Sequence, residues 1–307
     1  MPGTLCALCM LACSGSSSSG ASGSPGPSGG AGASGSAGAS GSAGVGGVAG
    51  TAGTAGVTGG AAGSATAPCS GPLEEMKNGG CVAKMVAVPA GFSIDATEVT
   101  RGQYAAWLAT SPALPSASDA TCGTKTSYAV ACTNAGEALP PPQNDEHPVV
   151  CVDYCDARAY CAGVGKRLCG KIGGGPNALA DFADAAASQW YAVCSSGGAN
   201  TYPYGSTYDA MACDGYDYAS AHLTSGSVEP LAVGSLTTCQ SSVSGYQGAY
   251  DLSGNVAEWE DSCGDPGIGP YCRTRGGSIV GMINCDVDIG SNPLTGFDDI
   301  GFRCCSP

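Results

Sequence analysis

Charge is scarce in this chain and is missing from its first 68 residues. Only 12% of the 307 residues are charged, and all 36 of them (11 basic and 25 acidic) follow Pro68. Residues 14–68 consist almost wholly of Gly, Ser and Ala. Such a segment buries too little apolar surface to offset the entropy lost on ordering. We therefore predict a disordered tether over residues 14–68.

The chain also lacks any apolar run near the ~20 residues that a membrane-spanning helix requires. Residues 1–13 are apolar but short, and no basic residue opens them as in a secretory signal. They end in Leu11-Ala12-Cys13, which resembles a bacterial lipobox. We interpret residues 1–13 as the remnant of a signal peptide whose true start lies upstream, with Cys13 as the lipidated residue; an ordinary cleaved signal is the alternative. Any link to a membrane would then be a lipid anchor.

Basic residues and histidines are few. The formal net charge is −14 and the sequence pI is about 4.2. An acidic surface repels phosphate groups, which argues against nucleic acid and anionic lipid as partners. It suits calcium or a solvated extracellular surface. His147 and His222 are the only histidines and stand in unlike contexts, which argues against a histidine-based zinc site or a Ser-His-Asp triad.

Cysteine, in contrast, is abundant. Nineteen cysteines indicate an oxidising compartment, because cytosolic thiols are kept reduced. Sixteen of them follow residue 68, in a stretch whose length fits one domain, residues 69–307. Local spacing suggests the pairs Cys69–Cys81, Cys122–Cys132, Cys213–Cys239 and Cys263–Cys272. The connectivity of Cys151, Cys155, Cys169 and Cys305 stays open at this point.

Few segments have the pattern of regular secondary structure. Thr100-Arg-Gly-Gln103 has the pattern of a capping box and predicts a helix start. Asp153 predicts the start of a second helix, and the apolar spacing within residues 181–193 predicts a third. Short apolar runs predict strands at residues 85–88, 149–152 and 278–280. Loops rich in Gly and Pro occupy the rest.

Three separated blocks carry the most information: Tyr-Asp-Leu-Ser-Gly-Asn-Val-Ala-Glu-Trp at 250–259, Arg-Gly-Gly-Ser at 275–278, and Ile-Gly-Phe-Arg-Cys at 300–304. Three further blocks, within residues 92–104, 147–168 and 190–205, occur in the same order. Together they resemble the formylglycine-generating enzyme (sulfatase-modifying factor) family over about residues 85–305. The resemblance implies that family's α+β fold, which is loop-rich, C-type-lectin-like, disulfide-rich and low in secondary structure.

The family's reactive centre is missing from the pattern. Members of the family oxidise a cysteine of sulfatases to formylglycine with a copper-binding cysteine pair, three and eight residues after the serine of the second block. Here those positions are Gly281 and Asp286. Cys285 is a weak catalytic candidate, because a single thiolate cannot provide the two soft ligands that Cu(I) prefers. Copper is therefore not expected.

The resemblance also implies roles for other residues. It implies the disulfides Cys161–Cys304 and Cys194–Cys285, so Cys285 has a structural partner. Ser278 and Trp259 match positions that line the family's active site, although each could equally be a packed core residue. Where the family has an arginine, this chain has Asp288, which changes the charge of the substrate site.

A calcium site is the third implication. Asn255, Val256 and Glu258 match a loop that binds calcium in the family through side-chain oxygens and main-chain carbonyls. Calcium takes six to eight oxygen ligands, and these groups supply such oxygens. The alternative is that Asn255 and Glu258 satisfy local backbone groups. We expect a structural calcium ion here.

These observations predict an extracytoplasmic protein, secreted or anchored at the cell envelope by a lipid. Its domain is expected to bind an unidentified extracellular ligand or protein without catalysis. The rival hypothesis is an active or divergent formylglycine-generating oxidase that acts on a cysteine of sulfatase-type proteins. A purely structural envelope protein is the third. A paired, reducible thiol near Gly281 would distinguish the enzyme from the other two.

Overall fold

The computed structural model describes residues 69, 71–132, 145–223, 229–264 and 269–306. The predicted signal remnant with Cys13 and the predicted tether at 14–68 lie outside the described residues. The chain divides into two units, residues 1–61 and 62–307, and every described residue belongs to the second. Among the described residues, no helix has the length and apolarity needed to cross a membrane.

The described residues form four short α-helices and one 3₁₀ turn, separated by loops. The helices are α1 (Arg101–Leu108), α2 (Tyr154–Gly163), α3 (Gln189–Cys194) and α4 (Tyr216–His222), and the 3₁₀ turn is Leu179–Asp181. The predicted capping box at Thr100 is present, and the predicted helix start at Asp153 has a capping box as well. The Thr100 hydroxyl accepts a hydrogen bond from the backbone amide of Gln103, and the Asp153 carboxylate accepts one from the backbone amide of Asp156.

Ten strands, within the part of the chain that the structure describes, form three small sheets. The strands are β1 (Glu74–Lys77), β2 (Gly80–Ala83), β3 (Met85–Ala87), β4 (Ser93–Asp95), β5 (Arg167–Leu168), β6 (Ala257–Gly264), β7 (Tyr271–Arg275), β8 (Asp288–Ser291), β9 (Ile300–Phe302) and β10 (Cys304–Ser306). One sheet is the β1–β2 hairpin, the second has the order β3-β4-β10-β5, and the third has the order β8-β7-β6-β9. Pairing is antiparallel except between β6 and β9. The predicted α+β class, with little secondary structure, is therefore confirmed.

An aromatic core joins α1 and α2 to the third sheet. The rings of Tyr104, Trp107, Tyr160 and Phe302 lie within 5.2 to 6.3 Å of their neighbours. Tilted and edge-on contacts at such distances stabilise beyond the area that they bury. This core positions β6 and β9, and through them the loops that follow.

Eight disulfides link all sixteen cysteines of the described residues: Cys69–Cys81, Cys122–Cys155, Cys132–Cys151, Cys161–Cys304, Cys169–Cys305, Cys194–Cys285, Cys213–Cys239 and Cys263–Cys272. The two bridges implied by the family resemblance, Cys161–Cys304 and Cys194–Cys285, are among them. The local pair Cys122–Cys132 was wrong. Cys122 instead reaches Cys155 on α2, because the Asp119 carboxylate accepts the Cys122 amide and pairs with Arg158 of the same helix.

Three secondary-structure predictions need correction. Residues 149–152 form no strand, since Cys151 has a left-handed backbone (φ 60°) and is tied to Cys132. Residues 278–280 form a turn in which the Gly281 amide donates to the Ser278 carbonyl. The third helix is shorter than residues 181–193: a 3₁₀ turn is followed by α3, which Ser188 caps.

Candidate functional site

The loop after β7 is fixed by glycines. Gly276 and Gly277 have φ of 86° and 74°, a region that only glycine enters at no cost. A Cβ on Gly277 would overlap the carbonyl oxygen of Met282. The chain therefore turns back on itself, and it leaves the side chains of Val280 and Met282 60% and 83% exposed.

Ser278 lines a cavity of about 340 Å³ beside this turn. Its hydroxyl donates to the Asp299 carboxylate at 2.8 Å, and burial raises the pKa of Asp299. Trp259 does not line this cavity. It is fully buried, its indole N–H donates to the Val152 carbonyl, and its ring packs edge-on against Tyr154. Of the two predicted pocket residues, only Ser278 therefore lines this cavity.

Sulfur near this turn is held in a bridge. Cys285 is fully buried and bonded to Cys194 of α3. Gly281 and Asp286, at the family's cysteine positions, carry no sulfur. Among the described residues every cysteine is paired, so this part of the chain has no thiolate to offer a soft metal ion.

Two buried arginines, Arg273 and Arg275, form ion pairs next to the turn. Arg275 pairs with Glu260 at 3.1 Å, donates to the Cys285 carbonyl at 2.9 Å, and lies over the Trp190 ring. It therefore holds the Cys194–Cys285 bridge in place. Asp288 pairs with Arg273, so the carboxylate that replaces the family's arginine is itself neutralised.

Arg303 is the centre of a larger buried cluster. Its guanidinium donates two hydrogen bonds to Glu258, at 2.6 and 2.7 Å, and lies 3.9 Å from Glu98. Burial raises the pKa of Glu98 well above its usual range, and the nearby Asp251 raises it further. Burial likewise raises the pKa of Asp251 to about 7. Three buried carboxylates thus face a single guanidinium, which leaves the cluster short of positive charge.

The predicted calcium ligands fit this cluster only in part. Both oxygens of Glu258 accept hydrogen bonds, from Arg303 and from the Trp190 indole at 2.9 Å. The Asn255 amide donates to Glu98 at 2.9 Å, while Asn255 Oδ1 and Glu98 Oε2 are buried without a hydrogen-bond partner. Amide and carboxylate oxygens of this kind are calcium donors. The donor chemistry therefore fits a divalent cation at Asn255 and Glu98, whereas Glu258 is engaged elsewhere.

A second cavity was missed in the sequence. It has a volume of about 580 Å³ and adjoins the first through the turn at Val280–Met282. We call it the tyrosine cavity; it is lined by Tyr202, Tyr208, Tyr216, Asp217 and residues 280–284. The run Tyr202-Pro-Tyr-Gly205 was the only sequence signal for it. That run indicated a loop, but it did not indicate that Tyr216 of α4 would line the same cavity.

Neither histidine contributes to these cavities. His147 Nδ1 lies 2.7 Å from the Pro230 carbonyl, and His222 Nδ1 lies 2.8 Å from the Tyr218 carbonyl. Burial lowers the pKa of His147. Each ring is thus held by a backbone carbonyl.

These features define a loop-rich α+β domain with a disulfide framework and two adjoining surface cavities. The protein-family model of the sulfatase-modifying factor enzyme 1-like domain matches residues 51–306 of this sequence. The chain therefore belongs to the sulfatase-modifying factor family. No curated protein sequence matches it significantly.

Solved structures with similarity to the chain have low sequence identity. The crystal structure of CarF is 19% identical, covers 70% of this chain and 86% of its own, and has a TM-score of 0.47. PvdO from Pseudomonas aeruginosa is 20% identical, with coverages of 74% and 94% and a TM-score of 0.44. Treponema denticola variable protein 1 is 16% identical, with coverages of 76% and 98% and a TM-score of 0.44.

Proposed function

We propose that this domain is a non-catalytic binding module of the sulfatase-modifying factor family, displayed outside the cytoplasm. The observation that carries the proposal is the state of Cys285, which is buried in a bridge with Cys194 while Gly281 and Asp286 replace the reactive pair. Eight disulfides among the described residues are typical of a protein that folds in an oxidising compartment. The exposed turn at Val280–Met282 provides the binding surface.

The decisive test is incubation of the purified domain with a sulfatase-type cysteine peptide, with and without copper, followed by mass spectrometry. We expect no formylglycine. Product that is abolished by Cys285→Ser would establish the rival oxidase function and make Cys285 the catalytic thiol. Cys263→Ser is the matched control, because it opens a bridge in the same domain between β6 and β7, away from the turn.

Lipid anchoring through Cys13 is a separate part of the proposal. It is supported by the lipobox-like run before the Gly/Ser/Ala segment. Expression of the chain behind a complete bacterial signal peptide, in a host supplied with an alkyne fatty acid, should label the parent and not the Cys13→Ser variant. Equal labelling of both would contradict the anchor.

Calcium binding is the last part, and two buried oxygens that accept no hydrogen bond, Asn255 Oδ1 and Glu98 Oε2, support it. An ion at this point would balance the excess negative charge around Arg303. Calcium at about 100 times its Kd should then stabilise the domain by roughly 2.7 kcal/mol. Asn255→Gly should remove that gain, because it deletes Oδ1 but keeps the left-handed backbone (φ 56°).

Asn78→Gly is the matched control for this variant. Asn78 has a similar φ of 50° but lies exposed in the β1–β2 turn, so its replacement should leave the calcium response intact. Melting curves with calcium and with chelator measure both variants. A parent melting temperature that chelator does not change would contradict the calcium proposal.

A further inference from the structure

The tyrosine cavity is lined by two kinds of side chain. Tyr202 and Tyr208 come from one loop, and Tyr216 and Asp217 from the start of α4. The turn at 280–284 lines it as well, and there Val280 and Met282 are exposed. The lining therefore combines aromatic rings with aliphatic side chains.

Two of the rings, those of Tyr202 and Tyr208, are held in place by neighbouring side chains. Tyr202 stacks on Tyr204 with centroids 5.3 Å apart and planes 10° apart, and Tyr208 lies 5.7 Å from Tyr202 at 50°. The Tyr208 hydroxyl donates to the Asp217 carboxylate at 2.7 Å. Tyr208 and Tyr216 are nevertheless 45% and 61% exposed. A preorganised aromatic surface loses little entropy when a ligand binds.

The electrostatic environment favours one sign of charge. No Lys or Arg occurs in residues 172–272 or 276–302, the two segments that supply the whole lining. Asp217 is the charged residue of the lining. The hydrogen bond to Asp217 raises the pKa of Tyr208 to about 12, so this phenol stays protonated at neutral pH. The cavity thus disfavours anions and attracts cations.

The lining also selects the kind of cation. A calcium ion requires six to eight oxygen ligands, and this lining offers one carboxylate, which already accepts the Tyr208 hydroxyl. A compact ammonium ion is strongly hydrated and would lose that hydration against Val280 and Met282. Aromatic faces attract weakly hydrated cations through the ring quadrupole, and alkylated ammonium groups are the ligands that such faces hold best.

We propose that the tyrosine cavity binds a quaternary ammonium group, with the rings of Tyr202, Tyr208 and Tyr216 against its methyl groups and Asp217 as the counter-charge. This inference rests on the proposed binding function and names the chemical class of its ligand. The same group occurs in free choline and in the headgroup of phosphatidylcholine.

Calorimetric titration with choline and with its neutral isostere 3,3-dimethyl-1-butanol tests the proposal. The two probes have the same shape, so only the charge differs. We expect choline to bind at least roughly tenfold more tightly, the scale of a cation–π contribution at a partly desolvated site. Equal affinities, or no binding of choline, would overturn the proposal. Phosphatidylcholine and phosphatidylglycerol vesicles form a second arm; retention on the former alone would identify the lipid source, and binding of free choline alone the soluble source.

Substitutions connect the binding to the cavity. Tyr216→Ala and Asp217→Asn should each weaken choline binding roughly tenfold, and both residues are exposed, so the fold should survive. Tyr218→Ala is the matched control: it lies on the same helix but does not line the cavity. An equal loss in Tyr218→Ala would contradict the assignment. A domain that binds choline and also makes formylglycine would refute the non-catalytic function and leave this site standing.

Discussion

Two regions of the domain differ in how they treat their apolar side chains. Between α1, α2 and β9, aromatic rings pack against each other and are almost wholly buried. Around the turn at 276–284, Val280 and Met282 face solvent, although the backbone beneath them is tied by Cys194–Cys285. The core thus stabilises the fold, and the turn displays side chains on a fixed backbone. A binding module needs this division, because binding residues on loops can be displayed without weakening the scaffold that holds those loops.

The largest expected effect concerns the bridge that closes the aromatic core. Replacing both Cys161 and Cys304 by Ser removes a bridge that spans 143 residues, whereas replacing Cys263 and Cys272 opens one that spans nine. From the loop-closure entropy, the free energy of unfolding should fall by roughly 5 kcal/mol in the first variant and by roughly 2.6 kcal/mol in the second. Chemical denaturation of both variants checks the order. Equal losses of stability in the two variants would show that the long-range bridge stabilises the aromatic core no more than the short one stabilises its hairpin.

The second effect concerns the buried charge next to that core. Arg303→Met should cost about 3–5 kcal/mol, because it leaves Glu98 and Glu258 without their cation. Arg158→Met is the control, since the pair with Asp119 is about one-third and one-quarter exposed and should cost less than about 1 kcal/mol. If Arg303→Met lowers the free energy of unfolding by no more than Arg158→Met does, the charge of the cluster is neutralised in another way.

A pH dependence is expected from α2. Burial and then the neighbouring Asp153 raise the pKa of Asp156 to about 7, although Lys125 lowers it. A carboxyl with a folded pKa above its unfolded value of ~3.9 contributes stability that is complete below pH ~4 and is lost as pH rises through 7. The melting temperature should therefore rise as pH falls from 8 to 5.5. Asp156→Asn should flatten this rise, and an unchanged slope in the variant would assign it to other groups.

The smallest effect should come from the displayed turn. Met282→Ser removes a side chain that is 83% exposed, so the free energy of unfolding should change by less than about 0.5 kcal/mol. Trp107→Ala, in the aromatic core, should cost about 3–5 kcal/mol. If thermal denaturation shows that Met282→Ser is also costly, the turn belongs to the stabilising part of the fold and the contrast between the regions fails.

Local signals in the sequence predicted local structure well. The capping boxes at Thr100 and Asp153 depend on residues three positions apart, so the sequence displays both partners together. The family blocks led to the fold and to two long-range disulfides. The predicted pair Cys122–Cys132 was wrong because the partner of Cys122 is Cys155, which lies on α2 and 33 residues further along the chain, where spacing alone gives no indication of it.

The candidate site was less accessible to such reasoning. Glu258 matched a calcium-binding pattern, but no local feature could show that Arg303 would reach it from the end of β9. The tyrosine cavity combines residues from positions 202–217 and 280–284, and tertiary packing alone brings them together. Its negative character, in contrast, is visible in the sequence as long stretches without Lys or Arg.

The position of β10 has a consequence for how the domain is made. This strand lies between β4 and β5, and its two cysteines hold Cys161 and Cys169. Until residues 304–306 have been synthesised, β4 and β5 have a vacant place between them and present unpaired edges that invite aggregation. The second sheet is therefore completed only after β10 has been made, and the bridges Cys161–Cys304 and Cys169–Cys305 form late in the folding of the domain.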